Sequence, residues 1–226
     1  MIIELEKHLK RINSNTLLID IGSIYVSMNK EQFEHRAYKY LLGDLALEIF
    51  HLKHILKGTA TIEYIPFQSS VIASNDAFLT LWNNHQKTAA LAFVRVLSEH
   101  LVYLYAELLY PERIISKVYL NEKELDDIRV KREKIKPKDI RDEVAKAYKD
   151  FGEIWNSYHY FIHPNYLQGT ALPLEGAYEK GYSDMIKLNN WIIDTLTKIK
   201  GRYKRELKAK GLYQKYLDYL NEKEPD

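Results

Sequence analysis

Residues 89–109 read AALAFVRVLSEHLVYLYAELL, and this stretch decides the fold. It is apolar on nearly every side of a helix, which is typical of a helix buried all round rather than one lying on a surface. The helical pattern around it begins near Asn75 and ends at Pro111, since proline cannot continue a helix. We therefore predict one long helix over residues 75–110 at the centre of a helical bundle.

Three further segments carry helical patterns. Residues 30–57 hold an apolar stripe at spacings of three and four, with Gly58 as a C-cap. Pro137 suits the first turn of a helix that continues to His163. A last helix starts near Lys180, and we expect its charged extension to project from the domain.

The remaining segments predict irregular or extended structure. Residues 59–70 indicate a connection containing Pro66, and residues 16–27, rich in β-branched side chains around a glycine, favour a short strand pair. The predicted fold class is all-α: a helical bundle of about four main helices, with a short N-terminal strand pair and a charged C-terminal helical extension. In this interpretation residues 1–200 form a single domain and residues 201–226 a basic helical tail.

Composition excludes several kinds of site. The chain has no cysteine, which excludes disulfides, a thiol nucleophile and zinc sites built on thiolates. It contains neither a phosphate-binding loop motif nor a nucleophile elbow. The N-terminal residues do not resemble a secretory signal, and no stretch has the roughly 18 apolar residues of a membrane span. We therefore expect a cytoplasmic protein.

The formal net charge is only +2, but basic residues are concentrated in two runs. Residues 198–215 hold eight Lys or Arg against one Glu, and residues 129–138 hold six against one Glu. Such runs are usually solvated faces; the alternative is contact with phosphate groups. If the second run contacts phosphate groups, we predict that Lys204, Arg205 and Lys208 form the basic surface that does so.

Tyrosines interleave with the second basic run at positions 203, 213 and 216. Aromatic rings beside cations can stack nucleic-acid bases. Tyrosine is equally common on a half-buried helix face, so both interpretations stay open.

The central helix contains a polar cluster, namely Arg95, Ser98, Glu99 and His100. Charged groups are rarely buried without partners. Arg95 and Glu99 lie four residues apart and can form a structural ion pair. The alternative is a site whose pKa values are tuned by burial, with Arg95 and His100 as catalytic residues and Glu99 as a binding residue.

The helix predicted to end at His163 carries a polar line beside its aromatic core stripe: Gly152, Asn156, His159 and His163. Spacings of four, three and four place these residues on one face, which indicates a pocket wall or a close helix contact. We take Asn156, His159 and the neighbouring Tyr158 as binding residues and His163 as catalytic. The alternative is an amphipathic edge, with His163 stabilised by the helix dipole.

Two of these segments, FVRVLSEHLVYLY and YHYFIHP, resemble helices of the HEPN superfamily in its uncharacterised prokaryotic branches. The first is similar to that family's buried Arg-x-x-x-Glu helix, and the second to a later helix that ends in a His-Pro turn. The resemblance covers roughly residues 75–200. It implies an α-helical bundle that dimerises and often works in RNA cleavage, defence or toxin and antitoxin systems.

The family's nuclease signature is an arginine, four to six residues and then a histidine, which Arg95 and His100 satisfy. This chain departs from it by having Val96 after the arginine, and residues i and i+5 of a continuous helix lie about 140° apart. A general base and a phosphate-stabilising arginine must converge on one phosphate, which here requires a partner subunit or the use of His159 or His163. Many members are non-catalytic, so we predict a homodimeric RNA-directed module and leave cleavage open.

Two other functions fit the sequence. One is a non-catalytic dimeric interaction protein, in which the basic tail contacts a protein partner. The other is a metal-dependent enzyme, similar to the DinB-like four-helix family, with His51, His159 and His163 around one ion. Pro164 counts against it, and the Glu-x-x-His unit of di-metal bundles occurs only once, at Glu48. We therefore predict neither a metal nor another cofactor.

Overall fold

The computed structural model describes residues 16–21, 24–57, 64–110, 137–162 and 174–221. Over these residues the chain forms two strands and eight helices, and the predicted all-α helical bundle is confirmed. In chain order they are β1 (Thr16–Ile21), β2 (Ile24–Asn29), α1 (Lys30–Lys57), α2 (Tyr64–Asn83), α3 (Lys87–Leu109), α4 (Pro137–Ala147), α5 (Phe151–Ser157), α6 (His159–Ile162), α7 (Leu174–Ala209) and α8 (Tyr213–Asn221).

The two strands form the hairpin expected near the N-terminus. They pair antiparallel, in a register that runs from Thr16 opposite Asn29 to Ile21 opposite Ile24. The chain divides into two compact units between Gly43 and Asp44, within α1. The hairpin lies in the first unit, and α2 to α8 lie in the second.

The central helix of the second unit is α3, which packs against α2, α7 and the three short helices α4 to α6. Its residues Leu91, Leu97, Leu101 and Leu104 are completely buried, as the apolar pattern on all sides predicted. Among the described helices, α3 alone is long and apolar enough to cross a membrane. Of its 18-residue apolar segment, 56% is buried inside the bundle. A core helix passes such a test of length and composition as readily as a membrane span does.

The single helix predicted over residues 75–110 is wrong. Two helices, α2 and α3, occupy this part of the chain and are separated by residues 84–86. The connection predicted over residues 59–70 is also wrong in part, because α2 already begins at Tyr64. Pro66 falls in the first turn of α2, where its missing N–H leaves no intrahelical hydrogen bond unmade.

The turn after α2 holds His85 at a φ of 62°, in the left-handed region. The His85 N–H donates to the Trp82 carbonyl at 3.1 Å, and the Gln86 N–H donates to the Leu81 carbonyl at 2.8 Å. These two bonds form a Schellman motif, in which glycine is the preferred residue at the left-handed position. An L side chain at this position carries a conformational cost.

We expect His85→Gly to stabilise the protein by about 1 kcal/mol, because glycine adopts a positive φ without the Cβ penalty. In a chain of this size that corresponds to a rise in Tm of about 2–4 °C. Thermal unfolding followed by circular dichroism measures it. The control is His85→Ala, which removes the imidazole but keeps Cβ; an equal rise in both variants would contradict the backbone explanation.

The helix predicted from Pro137 begins there, but it is not continuous. It is interrupted at Tyr148 and again at Tyr158. Both tyrosines are buried, as the predicted core stripe requires, and fix the short helices against α7. The Tyr148 hydroxyl donates to Asp194 Oδ2 at 2.7 Å, and the Tyr158 hydroxyl donates to Asp184 Oδ2 at 2.8 Å.

A close helix contact occurs at Gly181 rather than at Gly152. A Cβ added at Gly152 would meet nothing within 4 Å, so of the two alternatives for this face, a pocket wall or a close helix contact, the close contact at Gly152 is wrong. At Gly181 a Cβ would collide with Leu91 Cδ2 and lie 3.1 Å from the Trp82 ring. The absent side chain of Gly181 therefore lets α7 approach α2 and α3.

The charged end of the last helix packs against the bundle instead of projecting from it. Tyr203 and Leu207 of α7, and Tyr216 of α8, are buried. The projecting extension predicted from the sequence is therefore wrong for residues 201–221. Residues 222–226 lie outside the described residues.

Candidate nucleic-acid interface

Arg95 is buried and has partners on two helices. Its Nε donates to Glu99 Oε1 at 3.2 Å, which confirms the predicted pair. Its Nη1 donates to the Trp155 carbonyl at 3.0 Å, and its guanidinium carbon lies 3.2 Å from the Trp155 ring centroid. Trp155 is in the last turn of α5, where carbonyl groups lack intrahelical partners. Arg95 therefore connects α3 to the end of α5.

His100 contacts a different neighbour. Its Nε2 lies 3.0 Å from the Ser70 hydroxyl oxygen on α2. Burial lowers the pKa of His100 to about 4, whereas a general base is most effective with a pKa near the working pH. The described partners of Arg95 thus lie on α3 and α5, whereas the described partner of His100 lies on α2.

The second polar line is divided between two helices. Asn156 lies at the end of α5 and His159 at the start of α6, and both are exposed. Tyr158, predicted as a binding residue, is buried and donates its hydroxyl hydrogen bond to Asp184. His163 lies outside the described residues. The structure therefore brings Tyr158 into the core and leaves Asn156 and His159 on the surface.

The residues considered for metal binding have other neighbours. The His51 ring lies edge-on to Tyr219 of α8, with ring centroids 5.0 Å apart. Glu48 Oε2 lies 3.0 Å from Lys200 Nζ, Glu48 Oε1 lies 2.5 Å from Lys204 Nζ, and the Tyr216 hydroxyl donates to Oε1 at 3.2 Å. Within the described ranges, no group of three or more His, Asp or Glu is arranged to hold a metal ion.

A buried charged cluster that the sequence reasoning missed joins α1, α3 and α7. Glu107 is 1% exposed, and its Oε1 lies 3.2 Å from Nζ of Lys53, which is 3% exposed. The Tyr203 hydroxyl donates to the same oxygen at 2.5 Å. Arg202 Nη1 donates to the carbonyls of Glu107 and Leu108 at 2.8 Å, at the end of α3. Glu107 lies three positions after the core residue Leu104, on the same side of the helix. That spacing could have predicted from the sequence that the Glu107 side chain is buried.

Most of the cations in the basic run at residues 198–215 lie beside an acidic side chain. Lys198 pairs with Asp194 at 2.6 Å and Lys210 with Glu206 at 2.8 Å. Lys200 and Lys204 share Glu48, and Arg202 lies 3.8 Å from the Glu107 carboxylate. Five of the eight cations in the run therefore have an acidic partner.

The other three cations, Arg205, Lys208 and Lys215, are exposed and have no acidic partner in the part of the chain that the structure describes. Arg205 and Lys208 lie three residues apart on α7 and therefore share a face. Of the basic surface predicted from the sequence, these two stay available to a partner. Lys204 is half-buried on Glu48 and does not.

Tyr213 is the aromatic residue beside these cations. Gly211, at a φ of 67°, reverses the chain between α7 and α8 in a second Schellman motif. This turn places the Tyr213 ring centroid 4.8 Å from Lys208 Nζ. Tyr213 is partly exposed, and its hydroxyl makes no hydrogen bond within the described ranges.

We give the name α7–α8 surface to four residues on either side of the Gly211 turn: Arg205 and Lys208 of α7, and Tyr213 and Lys215 of α8. They supply exposed cations that have no acidic partner among the described residues and one partly exposed aromatic ring, two features that nucleic-acid strands bind. Comparison of the chain with protein-family models, with curated proteins and with solved structures finds no match.

Proposed function

We propose that this chain is an RNA-binding helical module that contacts phosphate groups through Arg205, Lys208 and Lys215. One observation carries the proposal: among the described residues these three cations have no acidic partner, while five others in the same run each lie beside a carboxylate. Cations of this kind bind phosphate by releasing counterions, so the affinity depends on salt. From the HEPN resemblance we further propose that the chain forms a homodimer and that it works in prokaryotic defence or in a toxin and antitoxin system.

Cleavage of the RNA is not part of the proposal. Arg95 is engaged with Glu99 and Trp155, and His100 is held beside Ser70 with a pKa lowered by burial. Both residues are placed to stabilise the bundle. Binding without chemistry is the function that this geometry favours.

The variant Arg205→Gln/Lys208→Gln/Lys215→Gln is expected to weaken RNA binding by about 10- to 100-fold at moderate salt. Three lost phosphate contacts at about 0.7 each also reduce the slope of log affinity against log salt by about 2. Fluorescence anisotropy with labelled RNA at several salt concentrations measures both quantities.

The matched control removes three cations that have acidic partners, through Lys146→Gln/Lys198→Gln/Lys210→Gln. Lys146 pairs with Glu143 at 2.6 Å, and the other two pair with Asp194 and Glu206. The net charge falls equally in both variants, so the control is expected to keep most of the slope. Equal losses would assign binding to net charge alone, and wild-type protein without salt-dependent RNA binding would refute the proposal.

A second candidate function, a dimeric protein-interaction module, is favoured by exposed apolar side chains near the end of α3. Tyr103, Leu109 and Tyr110 are 46%, 39% and 40% exposed. Exposed aromatic side chains are enriched at protein interfaces. The same titrations separate the two candidates: a stable dimer in light scattering together with no RNA binding favours this one.

A further inference from the structure

We infer that the α7–α8 surface binds single-stranded RNA and that Tyr213 stacks on one of its bases. The inference rests on the proposed function, because it names the substrate class and a specificity-determining residue for the same surface. It goes beyond phosphate binding, which does not by itself distinguish a single strand from a duplex.

Burial selects Tyr213 among the three tyrosines that interleave with the basic run. Tyr203 is 1% exposed and donates its hydroxyl hydrogen bond to Glu107. Tyr216 is 2% exposed and donates to Glu48. Both of these rings are buried, whereas the Tyr213 ring is partly exposed although it packs 6.0 Å from the Tyr216 ring.

Two of the cations lie close to the Tyr213 ring along the chain. Lys208 Nζ is 4.8 Å from the centroid of the Tyr213 ring, and Arg205 lies one helical turn away from Lys208, a rise of about 4.5 Å. Base and phosphate of a nucleotide are joined through a single sugar. The Lys208 ammonium lies over one face of the Tyr213 ring, so a base would stack on the opposite face, with the phosphates of its strand within reach of the neighbouring cations.

A duplex does not offer this combination, because its base faces are covered by the neighbouring base pairs. Unstacked bases of single strands are the ones that proteins stack on aromatic side chains. A duplex is left with the phosphate contacts of the cations alone. The ring therefore adds affinity for single strands only.

The position of the Tyr213 ring is set in the protein without RNA. The turn at Gly211 sets the start of α8, and Tyr216 and Tyr219 hold the helix through Glu48 and His51. A ring that is already positioned loses little conformational entropy when a base stacks on it. This favours a direct contribution of stacking to affinity.

The test is an anisotropy titration of the full chain with a short labelled RNA, either single-stranded or annealed to its complement. Tyr213→Ala is expected to weaken single-strand binding by about 5- to 100-fold and to change duplex binding by less than about twofold. Tyr213→Phe is expected to bind like the wild type, because the hydroxyl has no partner in the described ranges. Tyr40→Ala, at an exposed tyrosine on α1, serves as the control and should change neither affinity.

A second variant, Tyr213→Leu, covers the case in which alanine loosens α8. Leucine keeps apolar volume and helix propensity but has no aromatic face, so it too should lose single-strand affinity. Wild-type affinity in Tyr213→Leu, or equal losses for single strand and duplex, would overturn the stacking inference while leaving the phosphate contacts in place. Loss of the proposed function itself has a different signature, namely no salt-dependent binding of either RNA by the wild type.

Discussion

Replacement of Glu107 by alanine is expected to lower the free energy of unfolding by about 3–5 kcal/mol. The change leaves the Lys53 ammonium buried at 3% exposure without the carboxylate that lies 3.2 Å from it. It also removes the acceptor of the Tyr203 hydroxyl. Breaking a buried ion pair from one side is costly because the other charge stays away from water. Urea unfolding followed by tryptophan fluorescence measures the loss.

The control for this prediction is Glu153→Ala. Glu153 pairs with Lys180 at 3.1 Å, but both side chains are exposed, so the expected loss is below about 1 kcal/mol. A Glu107→Ala variant as stable as Glu153→Ala would contradict the importance of the buried pair.

Removing both partners of the buried pair is expected to cost much less than removing one. Burial raises the pKa of Glu107, and Lys53, Tyr203 and Arg202 only partly offset that effect. The ionised pair therefore carries a desolvation cost that an apolar pair avoids. In Lys53→Met/Glu107→Met we expect most of the stability to return, and a loss equal to the sum of the two single variants would refute this explanation.

The sequence predicted the helical class well because the apolar pattern of α3 is strong over its whole length. It predicted the end of α1 at Lys57 and the end of α3 before Pro111, but it did not predict the interruptions inside the longer helical patterns. The turn at His85 contains neither glycine nor proline, and at Tyr148 and Tyr158 the apolar periodicity continues across the interruptions. Helix ends of this kind depend on tertiary packing, which a local pattern does not contain.

The candidate site was predictable where partners are close in sequence. Arg95 and Glu99 are four residues apart, so their pair follows from helix geometry. Lys53 and Glu107 lie on different helices and meet only in the folded chain, and Glu48 is shared by two lysines that lie far away in the sequence. Counting charges along residues 198–215 therefore overestimates the basic surface, because much of its neutralisation comes from outside the run.

Acid is expected to destabilise the protein through His100. Its pKa is lowered by burial from 6.5 to about 4, so between these values the unfolded chain binds a proton that the folded chain does not. Stability is therefore complete above pH 6.5 and falls as the pH drops towards 4, by about 3 kcal/mol. Urea unfolding at a series of pH values measures this slope.

His100→Gln keeps a polar group opposite Ser70 but does not titrate, so we expect its stability to depend less on pH over the same interval. His85→Gln, at an exposed histidine in the turn before α3, is the control and should keep the wild-type slope. Equal slopes in the wild type and His100→Gln would contradict the prediction. A steep slope that His100→Gln removes would instead establish that the folded bundle keeps this imidazole neutral.

A histidine kept neutral beside Ser70 to pH values near 4 stabilises α2 against α3 and is a weak general base at neutral pH. A measured profile of this kind would favour the proposed binding module over a ribonuclease built on Arg95 and His100.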